Sequence, residues 1–296
     1  MKPIQILKLI WRKALSAQEA KESFFHGTER LINAKQYDRL YRRGLKQGVE
    51  MIFYNSEKDL LALKTKEGII VETNRICNIF IEVFLNKEYS LPPQIKDEFC
   101  VFDVGMNRGY TSLFFANYSN CREVFGFELD QQTYDWSLRN FALNPSLSPK
   151  ITPYNFGLWN EDEEIEYRIS DSDYCTSVNS LSTEYPKMKN LFENKIFQVR
   201  KAKVKKASSQ ISSILKDLSE ERMKILKIDI EGAEYAVFED LYNHDVLNTF
   251  DLIMGECHNG MAELEKYLGE FTCIYKSKNK GLLLDFVYVN KRIRLY

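Results

Sequence analysis

Long apolar runs, paired cysteines and a complete dinucleotide motif are all missing from this chain of 296 residues. No apolar stretch approaches the roughly 18 residues of a membrane-spanning helix, and residues 1–16 lack the continuous apolar core of a secretory signal peptide. None of the six cysteines forms a C-x-x-C pair, which argues against a zinc site or a disulfide framework. These absences predict a cytoplasmic protein with reduced thiols and no transmembrane segment.

Positive and negative residues are nearly equal in number over the whole chain, but they are unevenly distributed along it. The net charge is −1, whereas residues 1–48 contain 11 lysines and arginines against 4 aspartates and glutamates. A basic segment can favour nucleic acid, a membrane surface or a phosphorylated substrate. A solvated helical face accounts for the same pattern more simply, so we expect no nucleic-acid partner.

Hydrophobic periodicity divides the chain at the proline pair Leu91-Pro92-Pro93. Residues 1–95 alternate helical stretches with short strands and are predicted to form an N-terminal extension, through which we expect a homodimer to form. From residue 96 onward, strands alternate with helices, as in a parallel sheet covered on both faces. We predict an α/β fold for residues 96–296, with seven strands, a hairpin of the last two strands, and an insertion at about residues 160–206 that contains a further hairpin.

The most informative segment is Val101–Tyr110, a short apolar strand that leads into a glycine turn and a helix. A second predicted strand ends in Glu128, about 20 residues after the turn. Rossmann-like nucleotide sites share this layout, because the turn lets a ligand approach the backbone and the carboxylate accepts the ribose hydroxyls. The glycine pattern, Gly105-x-Asn107-x-Gly109, is not the G-x-G-x-x-G that cradles a pyrophosphate. It argues against a nicotinamide dinucleotide and favours an adenosine ligand without phosphates, such as S-adenosylmethionine (SAM).

Three segments resemble the motifs of FkbM-type SAM-dependent methyltransferases. Phe102–Thr111 resembles the first motif of that family, Leu226–Glu234 its other hallmark, and Ile253–His258 its strand that ends in a carboxylate and a histidine. The resemblance covers roughly residues 79–289. It implies a class I methyltransferase fold, in which a Rossmann-like seven-stranded sheet carries helices on both faces. It also implies SAM as the methyl donor, and methylation of a hydroxyl on a sugar or a secondary metabolite.

The predicted SAM site lies at the carboxyl ends of the strands, where open α/β sheets bind their ligands. Glu128 is expected to accept both ribose hydroxyls. Asp103 either holds the backbone N–H groups of the turn or faces the methionine ammonium. Gly109 is expected to allow close contact between helix and sheet. The other candidate cofactor residues are Gly105, Asn107, Tyr110, Thr111, Asn155, Gly157 and Asp229.

The candidate catalytic residues are Asp229, Glu231 and His258, which follow two predicted strands. His258 is the preferred general base for a hydroxyl acceptor, because histidine ordinarily titrates near neutral pH. Asp229 can instead be the base, or can orient His258, and Glu231 also suits a helix N-terminus. A divalent metal held by these residues and Glu256 is chemically feasible, but the spacing matches no metal signature, and we predict no metal.

These patterns predict a SAM-dependent O-methyltransferase acting on a sugar, either nucleotide-linked or a precursor of a surface or capsular polysaccharide. The insertion is expected to cover this small-molecule acceptor, with Tyr167 among the side chains that can stack on a sugar and Arg200 among those that can bind a phosphate.

Two alternative functions stay open. One is a methyltransferase of nucleic acid or protein, which the basic segment 1–48 would suit, and the other is a non-catalytic interaction module that retains the SAM fold.

Overall fold

The computed structural model describes residues 44, 46–55, 60–73, 78–170, 197–258, 260–277 and 284–293. The chain divides into two compact units, Met1–Ile81 and Glu82–Tyr296. The second unit therefore begins ahead of the predicted boundary, and the domain limits 1–95 and 96–296 stay a prediction. The helical stretches predicted before residue 44 lie outside the described residues.

The first unit contains a three-stranded antiparallel sheet, as the short apolar runs of the sequence predict. Its strands are β1 (Glu50–Asn55), β2 (Leu60–Lys64) and β3 (Ile70–Thr73), and β2 lies in the middle. Leu63 and Val71 are directly paired between β2 and β3 and are both buried. A short helix, α1 (Asn78–Phe80), follows and continues as a π-helical segment, Ile81–Asn86.

The second unit is built on a seven-stranded mixed sheet. Its strands are β4 (Phe99–Val104), β5 (Cys121–Phe127), β6 (Ile151–Tyr154), β10 (Met223–Ile228), β11 (Leu252–Cys257), β12 (Phe271–Lys276) and β13 (Leu284–Asn290). They lie in the order β12-β13-β11-β10-β4-β5-β6, and β13 runs in the opposite direction to the other six strands. This confirms the predicted Rossmann-like class I sheet with its terminal hairpin.

Helices cover the sheet between successive strands. They are α2 (Tyr110–Ala116), α3 (Gln131–Ala142), α4 (Ala207–Leu215), α5 (Glu234–Asn243) and α6 (Ala262–Glu265), with 3-10 turns at Ser148–Lys150 and Leu247–Thr249. All six residues of β4 are buried. Because side chains alternate along a strand, Phe102 packs into the core with α4 and α5 while Phe99 and Val101 point to the opposite face. No helix in the described part of the chain is long and apolar enough to cross a membrane.

The insertion between β6 and β10 contains a second small sheet. Its strands are β7 (Gly157–Trp159), β8 (Glu163–Ser170) and β9 (Phe197–Lys206), in the order β7-β9-β8. The antiparallel pair of β8 and β9 is the predicted hairpin. The sequence did not predict β7, because three residues are too few to show strand periodicity. The insertion at about residues 160–206 is predicted to cover the acceptor, and its residues 171–196 lie outside the described residues.

Candidate active site

The glycine turn after β4 is fixed by steric contact. Gly105 has a φ of +81°, and a Cβ at this position would lie 2.0 Å from the backbone oxygen of Asp229. Gly109 has a φ of +77°, and its Cβ would lie 2.4 Å from a ring carbon of Phe141 in α3. Both positions therefore require glycine. The close contact that Gly109 permits is between helices, whereas the sequence suggested a contact with the sheet.

Glu128 follows β5 and faces the glycine turn. Its Oε2 accepts a hydrogen bond from the Asn107 N–H at 3.0 Å, and its Oε1 accepts one from the Asp130 N–H at 2.8 Å. Burial raises the pKa of Glu128 to about 7. A carboxylate oxygen can accept two hydrogen bonds, so each oxygen can still accept one hydroxyl. The two oxygens of the carboxylate therefore suit the two neighbouring hydroxyls of a ribose.

Two other predicted cofactor residues lie beside Glu128. Asn155 donates from its side chain to the backbone oxygen of Glu128 at 3.1 Å. Gly157 lies in β7, and a Cβ there would lie 2.9 Å from the side chain of Leu129. The structure therefore brings the residues after β6 to the turn after β5, as the predicted adenosine site requires.

Asp103 and Lys227 form a buried ion pair beneath the glycine turn. The Lys227 Nζ lies 3.2 Å from Asp103 Oδ1, and the other carboxylate oxygen accepts the Ser112 hydroxyl at 2.6 Å. The Lys227 ammonium also donates to the Gly105 backbone oxygen at 2.7 Å. These contacts favour the structural role for Asp103, since its carboxylate is fully buried among protein partners.

The start of α2 and the buried lysine each bear on the predicted SAM site. Tyr110 and Thr111, the first residues of α2, are both buried, so little of either side chain is open to a ligand. Lys227 is not among the predicted site residues. The available signal was a lysine inside an otherwise apolar strand, because a charge at a buried position needs a partner.

Carboxylates surround His258 at the carboxyl ends of β10 and β11. Its Nε2 lies 3.2 Å from Glu231, 3.9 Å from Asp229 and 4.0 Å from Glu256. Its Nδ1 lies 2.9 Å from Glu234. The imidazole is 3% exposed, whereas the side chains of Asp229 and Glu256 are each 25% exposed. The structure thus brings the three predicted catalytic residues together and places the carboxyl groups of Glu234 and Glu256 beside them.

The carboxylates on both ring nitrogens favour the charged form of His258. Burial opposes the charge, but Glu234 and Glu231 raise the pKa of His258 to about 12. Burial and the neighbouring Asp229 raise the pKa of Glu256 to about 9. A general base needs an unprotonated nitrogen, which His258 does not offer at neutral pH. The arrangement favours the other predicted role, in which His258 orients Asp229.

Asp229 combines partial exposure with a fixed position. Its Oδ2 accepts the Tyr89 hydroxyl at 3.0 Å, and its backbone N–H donates to Val104 at 3.1 Å. Burial, followed by the charge of Asp229, raises the pKa of Tyr89 well above its ordinary value, so the phenol stays protonated. Tyr89 is not among the predicted site residues, because it lies outside every motif and its neighbours in the sequence give no signal of its role.

Residues 103–276 match the Methyltransferase FkbM domain, which is more than half of the chain. The chain belongs to the FkbM methyltransferase family. The resemblance of the three motifs is thereby confirmed, and SAM is the expected cofactor of this FkbM protein. Glu128 and Asn155, which lie side by side, stay the predicted contacts for the adenosine end of SAM, and Asn107 stays a predicted contact for its methionine end.

Several solved structures are similar to this FkbM protein at low sequence identity. An FkbM methyltransferase from Methylobacillus flagellatus KT is 12% identical with a TM-score of 0.41, over 65% of this chain but 43% of that one. TrmK from M. capricolum, in complex with S-adenosylhomocysteine (SAH), is 10% identical with a TM-score of 0.38, over 70% and 67%. A NADB-Rossmann superfamily protein from Streptococcus agalactiae is 13% identical with a TM-score of 0.37, over 70% and 72%. No curated protein matches.

One set of side chains in the FkbM site is close enough to share a metal ion. Ligand atoms of Asp229, Glu231 and His258 lie within 4.8 Å of one another. In the structure, the charged imidazole of His258 already balances part of the negative charge of these carboxylates. The absence of a metal requirement stays a prediction.

Replacing Glu128 with glutamine is expected to weaken SAH binding by roughly 10- to 100-fold, because hydrogen bonds to a charged acceptor are among the stronger ones. The wild-type affinity should also depend on pH. With a pKa raised to about 7, the carboxyl group is neutral below pH 7 and then accepts the two hydroxyls poorly. Affinity should therefore fall as pH falls, by up to about tenfold per unit. Calorimetric titration with SAH between about pH 5.5 and about pH 8.5, a range that spans the Glu128 pKa, measures both effects.

The Glu128→Gln protein is its own control for pH, since glutamine does not titrate. Its SAH affinity should be nearly constant over the same range. A pH dependence shared by both proteins would assign the titration to another group, such as Glu231, whose pKa burial also raises to about 7.

Proposed function

We propose that this protein transfers the methyl group of SAM to a hydroxyl of a sugar, either nucleotide-linked or a precursor of a polysaccharide. The observation that carries the proposal is the cluster of carboxylates at the ends of β10 and β11. Asp229 and Glu256 present partly exposed oxygens within about 4 Å of the same imidazole nitrogen. Closely spaced carboxyl groups suit a ligand with several hydroxyl donors. They disfavour the phosphate backbone of a nucleic acid at the same position.

SAM, when bound, supplies a methyl group that its positively charged sulfur makes electrophilic. An alcohol is a weak nucleophile, so the protein must take the hydroxyl proton as the new bond forms. Asp229 is the group we assign to this step. The Tyr89 hydroxyl fixes one of its oxygens at 3.0 Å, and the imidazole of His258 lies 3.9 Å from the other oxygen.

The remaining residues of the cluster position the acceptor and the base. Because burial and Asp229 raise the pKa of Glu256 to about 9, its carboxyl group is protonated at neutral pH and can donate to one acceptor oxygen while accepting from another. Glu231 and Glu234 hold the His258 ring from two sides. The ring therefore has a fixed orientation toward Asp229, and fixed orientation of reacting groups contributes to catalysis.

Methyl transfer from radiolabelled SAM is expected to label a sugar, either nucleotide-linked or in a polysaccharide, when the enzyme is offered nucleotide-linked sugars, free sugars, polysaccharide, RNA and cell protein in parallel. The reason is that the carboxyl cluster offers several hydrogen-bond acceptors close to the assigned base. The label would be measured in each fraction after chromatography, with and without EDTA. Asp229→Asn protein serves as the inactive control.

Two results would contradict the proposed acceptor. Label in RNA or in protein alone would support the alternative methyltransferase, which the basic composition of residues 1–48 would suit. No transfer to any acceptor, combined with no SAH binding, would favour the non-catalytic module.

A further inference from the structure

Asp130 lies directly behind the carboxylate predicted to bind ribose. Its backbone N–H donates to Glu128 Oε1 at 2.8 Å. Its own Oδ2 accepts the backbone N–H and the hydroxyl of Thr133, each at 2.8 Å, and so caps the first turn of α3. The position of one Glu128 oxygen therefore depends on where the Asp130 backbone is held.

The other oxygen of Asp130 is held by the insertion. Its Oδ1 accepts the Tyr167 hydroxyl at 2.5 Å and the Arg200 Nη1–H at 2.8 Å. Tyr167 in β8 and Arg200 in β9 are directly opposite each other in the hairpin register. The sequence suggested that both contact the acceptor. In the structure both point at Asp130, 37 and 70 residues away along the chain.

The charge of Asp130 makes these contacts strong. The Asp130 side chain is 1% exposed, and burial by itself raises its pKa. The hydrogen bonds from Tyr167, Thr133 and Arg200 outweigh this effect and hold the pKa of Asp130 below its ordinary value. A buried carboxylate that keeps its charge depends on its donors, so loss of one donor should displace Asp130.

We propose that Tyr167 and Arg200 form a clamp, the hairpin clamp, that positions Asp130 and through it the ribose-binding carboxylate of Glu128. The hairpin thereby couples the insertion to SAM affinity. This inference rests on the proposed function, because it assumes that the ribose of SAM binds at Glu128. Neither clamp residue is assigned any contact with SAM, so both are positioning residues.

Arg200→Met and Tyr167→Phe are each expected to weaken SAH binding about five- to tenfold, less than a direct loss of the Glu128 charge would. Arg200→Lys should restore part of the affinity, since it keeps a positive charge near Asp130. The matched control is Lys201→Met. Lys201 is the next residue in β9, is exposed, and lies 3.7 Å from Glu164 rather than near Asp130. Calorimetry with SAH gives the affinities, and thermal unfolding shows whether each variant is folded.

A double variant separates positioning from general stabilisation. If Arg200 acts through Glu128, adding Arg200→Met to Glu128→Gln should weaken SAH binding by less than about twofold beyond Glu128→Gln alone, because coupled residues are not additive. Full multiplication of the two effects would overturn the clamp, as would wild-type affinity in both Arg200→Met and Tyr167→Phe. A wild-type protein that binds no SAH would instead overturn the proposed function, and the clamp with it.

Discussion

Asp229→Asn is expected to slow methyl transfer by about 10²- to 10⁴-fold, the range that a positioned general base contributes. An amide keeps the size of the carboxylate and can still accept the Tyr89 hydroxyl, but it cannot take the acceptor proton. SAH affinity should change by less than about threefold, because an interaction made only during the reaction leaves ligand binding intact. Single-turnover rates with the labelled sugar, together with SAH calorimetry, measure both quantities.

The matched control is Asp285→Asn. Asp285 pairs with Glu256 across β11 and β13, so it lies at the same edge of the sheet, but no catalytic step is assigned to it. This variant should keep most of the activity. A normal rate in Asp229→Asn with complete loss in His258→Gln would assign the base to His258, the first choice from the sequence. A large loss of SAH affinity in Asp229→Asn would add the predicted cofactor contact to its role.

The sequence predicts those parts of the molecule that depend on local pattern. The strands of the seven-stranded sheet are apolar and bounded by turns, so their order along the chain shows the fold. Gly105 and Gly109 mark the turn because no other residue satisfies both the backbone angle and the contact. The place of Asp229 and His258 at neighbouring strand ends follows from the parallel order of β10 and β11.

The parts that the sequence does not predict depend on contacts between distant residues. The Tyr89 hydroxyl donates to Asp229, which lies 140 positions further along the chain. Nothing in the residues around Tyr89 indicates that contact. The protonation of His258 depends on carboxylates at both ring nitrogens. Only the distances from those groups to the ring show that the imidazole carries a charge. The hairpin clamp also depends on contacts between distant residues. The alternating basic residues of β9 equally suit a strand whose side chains are solvated, so the sequence does not indicate the contact with Asp130.

The ion pair beneath the glycine turn leads to the second large effect. Lys227 and Asp103 are almost completely buried, with 1% and 0% exposure. Among the described residues, no donor forms an aligned hydrogen bond with Asp103 Oδ1, so the ammonium at 3.2 Å provides its charge compensation. The same ammonium holds the Gly105 backbone oxygen. Lys227 therefore stabilises both a buried charge and the predicted SAM turn.

Lys227→Met is expected to lower the free energy of unfolding by about 3–5 kcal/mol, because it leaves a buried carboxylate without its cation. The double variant Lys227→Met with Asp103→Asn should recover most of this loss, since replacing both partners of a buried ion pair with neutral groups is often close to neutral. Urea unfolding of each protein measures the free energies. SAH affinity of the double variant should stay below wild type, because the bond to Gly105 is still missing.

Lys224→Met is the control for removing a lysine from the same strand. Within the described residues, the hydrogen bonds of the Lys224 ammonium go only to backbone oxygens just before the start of β10. Its loss should therefore change the free energy of unfolding by roughly 1 kcal/mol or less. Equal instability of the single Lys227→Met and double variants would show that the stabilising contact of Lys227 is with the turn rather than with Asp103. Wild-type stability in Lys227→Met would mean that the ion pair with Asp103 does not stabilise the folded protein. Recovery in the double variant, with SAH binding still weak, would separate the two roles of one lysine: charge compensation within the core and support of the turn on which the cofactor site is built.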